Sequence, residues 1–537
     1  MIVTEVQFED RVIELSGNIV NKENNVFTLV VGRNGYGKSS LLQKICLINI
    51  ASFLNQSDSH IRIQDIVDYY ENRDLAAFDE TGSIFFTDES DSKRISIEKP
   101  SFIPPNINLN TIPEHLHEQI INNLRMQYLG NSQNNVRYMV NGSYQENIDG
   151  YPKVIAVSSS PFDKFPLLDN HRMQGLFCDL KNHYIYRGAK TKDKSSKSYM
   201  RSKFDQLGAS FVDFFLKPAN RINEILPLFK YLKIDTKFTV YLTFPDHFSL
   251  NDILDESRKG PLEAIRTVRF FKGKEHDDSL TNEDKEKIIK SVKSLHEGLL
   301  PGHDKNNFHR REEVYTLNLD INSSEQPPFL EEFSVLADYD LVDLANIEFV
   351  KTTDNKNFFL TEASSGELCI LFNILAIAGT ITDGSIVLLD EPELSLHPEW
   401  QRDFLPLLAE VFSKYKKCHF IVATHSPHIV SSLPASNSFV VNLENNPAKV
   451  VIGESLALQS SDFQLAYTFK SPGYKNEYLI SQLVEVLSQL SEGKALDRGL
   501  TKRINDLVEF DSIISADDPV KKLLSTLKKA LEVLSNE

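Results

Sequence analysis

The chain has 537 residues, 41% hydrophobic and 25% charged, enough to bury a large core and to form more than one compact unit. Its 75 acidic residues outnumber 58 basic ones, and the net charge of −17 argues against a surface coated for nucleic acid while leaving room for one local basic patch. No run of about 18 or more apolar residues occurs, and Met1-Ile2-Val3-Thr4-Glu5 lacks the character of an export leader, so a cytoplasmic protein with no membrane partner is expected. Cys46, Cys178, Cys369 and Cys418 lie far apart with no C-x-x-C pair, as suits buried thiols in a reducing compartment.

In chain order, the apolar run Val26 to Val31 predicts a buried strand. It leads into Gly32-Arg33-Asn34-Gly35-Tyr36-Gly37-Lys38-Ser39, and a helix is expected from Ser40 onward. Strand, glycine-rich turn and helix start together aim backbone N–H groups and a helix dipole at one anion. Arg33, Asn34, Gly35, Gly37, Lys38, Ser39 and Ser40 are therefore candidate nucleotide contacts. Lys38 would reach the β- and γ-phosphates, and the Ser39 hydroxyl would sit on Mg²⁺. A short motif of this kind also fits a plain turn before a helix, so the rest of the chain has to decide.

Next come Ile61-Arg62-Ile63, then a hairpin of Ser83–Thr87 with Arg94–Glu98. Residues 100–150 look irregular apart from a short helix at 113–128, and a strong strand covers 153–157, ending at Ser158-Ser159-Ser160-Pro161. From 162 to 312 the nucleotide signals stop, and Phe204–Tyr231 and Asp284–Leu300 carry helical periodicity. Within this stretch Lys181, Arg187, Lys190, Lys192, Lys194, Lys197, Arg201 and Lys203 form a basic run interleaved with Tyr184, Tyr186 and Tyr199. It reads as a solvated loop or as a nucleic-acid contact at 181–203.

Strands return at Val314–Leu319, Ile347–Val350 and Phe358–Leu360. A helix at 364–379, a strand at 385–390, a helix at 398–414 and a strand at 418–424 then alternate as in a mostly parallel sheet. A hairpin at 439–452 follows, and from about 459 the chain turns helical, with amphipathic stripes in Glu477–Leu490 and Val520–Leu534.

The strand Ile386-Val387-Leu388-Leu389 ends in Asp390-Glu391, which places both acids at the carboxyl edge of a parallel sheet, where ligands of α/β folds bind. Asp390 would hold Mg²⁺ and Glu391 would polarise the attacking water; helix capping is the plainer alternative. Ser364-Ser365-Gly366-Glu367 opens an apolar helix, either as a second anion site or as a simple N-cap. His425 ends the next buried strand.

In combination and order, G-x-x-x-x-G-K-S, S-S-G-E, hydrophobic-D-E and A-T-H-S resemble the ABC-type ATPases. Asp390-Glu391-Pro392-Glu393-Leu394-Ser395-Leu396-His397-Pro398 resembles the branch holding the SMC-like, RecF-like and OLD-type proteins. The resemblance covers about 1–160 and 340–455. It implies an α/β ABC-type P-loop ATPase head with a mainly helical insertion and a helical C-terminal tail, divided as 1–161, 162–312, 313–458 and 459–537. It further implies ATP and Mg²⁺ as cofactors and a homodimer or higher oligomer whose heads sandwich ATP. Ser364 and Gly366 of one head would face the γ-phosphate held by the other, Ser395 and His397 would contact the partner, and His425 would sense the γ-phosphate. A Q-loop glutamine has no counterpart between Ser158 and Phe165.

The segments Val154–Phe165 and Phe469–Leu479 further resemble the PtuA ATPases of Septu anti-phage systems. This implies an HNH nuclease partner and, in retron systems, a reverse transcriptase with its RNA–DNA product. Two other functions compete: a DNA repair ATPase of RecF or SMC type, and an OLD-like nuclease. The tail after His425 offers no strand-end glutamate with a D-x-D pair for the latter; Asp517-Asp518 runs directly into Pro519. Glu114-His115-Leu116-His117-Glu118 and His303-Asp304 with His309 are weak metal candidates.

Overall fold

The computed structural model describes residues 1–8, 11–56, 82–88, 91–97, 136–160, 163–167, 183–188, 199–216, 222–244, 282–299, 302–303 and 313–536, apart from 20, 22, 149, 151, 324, 326, 340, 435, 446, 449 and 493–496. The expected elements at 61–63 and 113–128, the candidate sites at Glu114–Glu118, Asp304 and His309, and Cys178 lie outside these residues.

A seven-stranded sheet forms the centre, in the spatial order Val450–Ile452, Ser438–Asn442, Val26–Val31, His419–Ala423, Ile386–Asp390, Val154–Ser158 and Tyr184–Arg187. All neighbouring pairs are parallel except the first, the expected terminal hairpin. The central strands are apolar on both faces because both faces are covered. Val387 and Leu389 point into one core with the helices Ser365–Ala378 and Pro398–Val411. Ile386 and Leu388 point into another with the helix Lys38–Gln56. That second core is closed by a six-stranded antiparallel sheet containing Ile2–Phe8 and the hairpin Gly82–Asp88 with Asp91–Ile97.

The helical periodicity expected over Phe204–Tyr231 falls on two helices, Tyr199–Phe215 and a shorter piece, Leu226–Leu232. The stretch 162–312 is more woven into the head than a helical insertion would be. Tyr184–Arg187 is an edge strand of the central sheet. Lys237–Thr243 lies between Glu313–Asp320 and Asp343–Val350 in a separate antiparallel sheet. Tyr184 and Tyr186 donate to the Pro166 carbonyl and to Asp163, and Arg187 pairs with Asp213. Arg187 of the basic run and the interleaved Tyr184 and Tyr186 are thus bonded within the fold rather than set in a solvated loop. Lys181, Lys190, Lys192, Lys194 and Lys197 lie outside the described residues.

In the tail, the two amphipathic stripes meet each other. Leu479, Leu483 and Val486 share a core with Val520, Leu524 and Leu527, and a further helix, Arg498–Val508, supplies Leu500, Ile504 and Leu507. Asp518 is buried and accepts from the Lys475 and Val520 amides, as a helix cap does. Among the described residues no helix is long and apolar enough to cross a membrane.

One buried residue pins the N-terminal strands to the central sheet. The His419 ring accepts from the Val3 amide at Nδ1 (3.1 Å) and bonds the Thr28 hydroxyl through Nε2 (2.8 Å), while Thr28 donates to the Leu15 carbonyl (2.6 Å). Only the neutral ring protonated at Nε2 satisfies all three bonds. Burial pushes its pKa down from 6.5 to about 3, helped by the N-terminal ammonium. Because the folded pKa lies below the unfolded one, this stability is complete above about pH 6.5 and is lost progressively as pH falls toward 3. From pH 7 to pH 5 the wild type should lose about 2 kcal/mol more than His419→Gln, which cannot titrate there. Thermal unfolding at the two pH values checks this; parallel pH profiles for the two proteins would contradict it.

Candidate functional site

The strand register decides where the functional side chains emerge. Ala423 stands opposite Val30, Asp390 opposite Ala423, and Ser158 opposite Asp390. The turns that follow these strands therefore leave one edge of the sheet side by side. After Val31 the chain passes through Gly35 and Gly37 at φ of 88° and 91°, a conformation that side chains rarely adopt. It then enters the helix Lys38–Gln56. The loop wraps back over Lys38, which is 6% exposed and donates from Nζ to the carbonyls of Gly32 (2.8 Å) and Arg33 (3.4 Å). Burial lowers its pKa, against the pull of Glu391, Asp390, Glu393 and Glu444. Arg33 and Asn34 are exposed at the loop tip, and Arg33 pairs with Glu444 at 2.8 Å.

Ser39 Oγ donates to Asp390 Oδ1 at 3.2 Å, joining the two expected metal residues. Asp390 is 3% exposed, and burial raises its pKa to about 7 despite the Ser39 hydroxyl. A buried carboxylate that is this costly to ionise fits a site completed by a cation. The donors are a hydroxyl and a carboxylate, as a hard ion such as Mg²⁺ prefers. Among the described residues no group of three or more His, Cys, Asp or Glu could hold a metal alone; nucleotide phosphates and water would complete such a shell.

Glu391 takes φ of 50°, a left-handed step fixed by its amide bond to the Ala423 carbonyl (2.9 Å). The step turns its carboxylate toward His425, with Oε1 3.4 Å from Nε2. The His425 contact holds the Glu391 pKa below the usual carboxylate range, over the opposing effect of burial, and His425 and Lys38 add further attraction. Glu391 is thus kept ionised, as a group that accepts a proton from water must be. Glu393, to which the sequence assigned no role, is buried and accepts from the Thr424 hydroxyl and the His425 amide, both at 2.7 Å. It straps the turn of the acids to the turn of the histidine. Its only advance signal was its place two residues after Glu391.

Ser364 caps the helix Ser365–Ala378 in a reciprocal box with Glu367, and Lys351 pairs with Glu367. The N-cap alternative is thus observed, and Ser364 and Ser365 remain exposed. A side chain on Gly366 would meet the Trp400 ring at 3.0 Å. Cys369 Sγ donates to the carbonyls of Pro392 and Leu394, so this helix packs on the turn that carries Ser395 and His397. Ser395 and His397 are exposed. Among the described residues, no hydrogen bond joins Ser364 to the glycine-rich loop of its own chain.

Together the glycine-rich loop, the strand-end acids and the strand-end histidine lie at one edge of one parallel sheet, the layout of a P-loop nucleotide site in an α/β fold. Residues 185–431 match the family described as AAA domain, putative AbiEii toxin, Type IV TA system. The chain is 33% identical over 124 residues to the Retron Ec83 probable ATPase of Escherichia coli, spanning 21% of this chain and 22% of that protein. It is 31% identical over 144 residues to Protein ea59 of Escherichia phage lambda, 26% of each chain. A longer match, 20% identical over 417 residues, joins it to the Retron Vc95 probable ATPase of Vibrio cholerae serotype O1 biovar El Tor, covering 77% of this chain and 68% of that one. The first two matches thus span about a quarter or less of those relatives. Among solved structures, an SMC head domain from Thermotoga maritima aligns with a TM-score of 0.29 and 11% identity over 84% of this chain and 99% of that one.

Lys38→Ala removes a cation enclosed by the loop, where backbone amides offset phosphate charge only in part. ATP affinity, measured by calorimetric titration, should fall about a hundredfold or more. An affinity equal to the wild type would take Lys38 out of the site.

Proposed function

We propose that this chain is an ATP-binding and ATP-hydrolysing regulatory subunit of an anti-phage defence system, acting as a dimer that closes around ATP. The observation that carries the reading is the meeting of Lys38, Ser39, Asp390, Glu391 and His425 at one sheet edge. The loop and Lys38 bind and orient the triphosphate. Ser39 and Asp390 would hold Mg²⁺, which would neutralise phosphate charge when bound. Glu391 takes the proton of the attacking water, and His425 holds Glu391 in place and reads the γ-phosphate. Ser364 and Gly366, exposed at a helix start or packed beside it, serve the nucleotide of the partner head, and Ser395 and His397 line the contact between heads.

The likeness to two retron probable ATPases supports the defence setting. The resemblance to PtuA ATPases supports a separate HNH nuclease as the controlled partner, with a reverse transcriptase and its RNA–DNA where a retron is present. The self-contained tail core suits a module that carries such a partner.

Glu391→Gln keeps the shape of the side chain and loses its basic oxygen. Phosphate release should fall about a hundredfold or more, while ATP stays bound and the protein accumulates as a dimer in sedimentation with ATP. Turnover at the wild-type rate would assign the base to another residue.

A further inference from the structure

Residues 163–165 take no part in the site described so far, yet they follow the strand Val154–Ser158, whose end stands opposite Asp390. Two buried anchors hold them. Asp163, 4% exposed, accepts from the Phe165 amide at 3.0 Å and from the Tyr186 hydroxyl at 2.8 Å. The first bond closes an Asx turn, and the second ties the turn to the edge strand Tyr184–Arg187. Phe165 is 1% exposed in the core beneath the helix Lys38–Gln56. Between these inward-facing neighbours Lys164 reaches to the start of that helix, and its Nζ donates to Ser40 Oγ at 3.0 Å. Ser40 directly follows Ser39, so Lys164 bonds the first turn of the helix that also carries the expected metal residue.

We infer that Lys164 is a second phosphate-binding cation of the nucleotide site, delivered by a loop that Asp163 and Tyr186 brace. The inference rests on the nucleotide reading above. Three buried or half-buried carboxylates, Asp390, Glu391 and Glu393, already crowd this edge, and a nucleoside triphosphate adds more negative charge than Lys38 and one divalent cation offset. Ser40 Oγ is a neutral acceptor, whereas a phosphate oxygen in the adjoining loop is a charged one and binds an ammonium more strongly. The four-carbon stem lets Nζ pivot from one to the other without moving the braced backbone. The residue types suit that role, with an ion-pairing side chain set on a fixed turn in a segment that has no glutamine.

The test is calorimetric titration of Mg²⁺-ATP into the full-length wild type, Lys164→Gln and Lys164→Arg at low and high salt, with thermal unfolding as a check on each fold. Lys164→Gln should bind ATP about tenfold more weakly, the factor of one charge-assisted hydrogen bond, and with a shallower salt dependence. Lys164→Arg should stay close to wild type. If Lys164→Gln matches the wild type in affinity and salt slope, the inference is overturned while the nucleotide reading stands. If the wild type itself binds no ATP, the nucleotide reading falls and the inference falls with it.

Discussion

Parallel pairing of Val26–Val31, His419–Ala423, Ile386–Asp390 and Val154–Ser158 in one register is the constraint on which the rest depends. Side chains of a strand alternate between faces, so a slip by one residue would turn Val387 and Leu389 into the wrong core. It would also carry Asp390 and Glu391 away from Ser39 and His425. Burial on both faces makes such a slip costly, because every residue of the three inner strands is buried. The apolar packing that stabilises the sheet therefore also fixes the site geometry. His419 and Thr28 extend that registration to the N-terminal strands through hydrogen bonds that tolerate one tautomer.

Charge is the second organising feature. Burial raises the pKa of Asp390 and of Glu393, whereas the His425 contact lowers that of Glu391. Neighbouring carboxylates are thus pushed in opposite directions by their surroundings, a pattern that separates roles. Asp390 suits a metal ligand, Glu391 a base, and Glu393 a strap between two turns. Lys38, folded back on the carbonyls of its own loop, is held where an incoming phosphate can replace those weaker acceptors.

The strands and glycine-rich loop of this arrangement were legible in the sequence because each has a local cause. Val26–Val31 and Ile386–Leu389 read as buried strands from mainly apolar runs, and Gly35 and Gly37 as a tight turn from their spacing. Other parts were hidden because their cause is tertiary. The strand Tyr184–Arg187 lies in a lysine-rich stretch and is a strand by virtue of Val154–Ser158 beside it. The helix Arg498–Val508 buries only Leu500, Ile504 and Leu507 among polar neighbours, and those make sense once the two flanking helices are placed. Glu393 and Lys164 gain their meaning from contacts with residues far along the chain, which no local pattern announces.

The central claim is that a working site draws on two copies of the chain, the loop with Lys38 from one and the helix start with Ser364 from the other. Mixing two inactive variants tests it most directly. Lys38→Ala spoils the first half and Ser364→Arg the second, and each alone should release little phosphate. An equimolar mixture should recover up to about a quarter of wild-type activity, since half of randomly paired dimers are mixed and each holds one intact site of two. A mixture no more active than its separate components, or wild-type turnover by Ser364→Arg alone, would contradict the account.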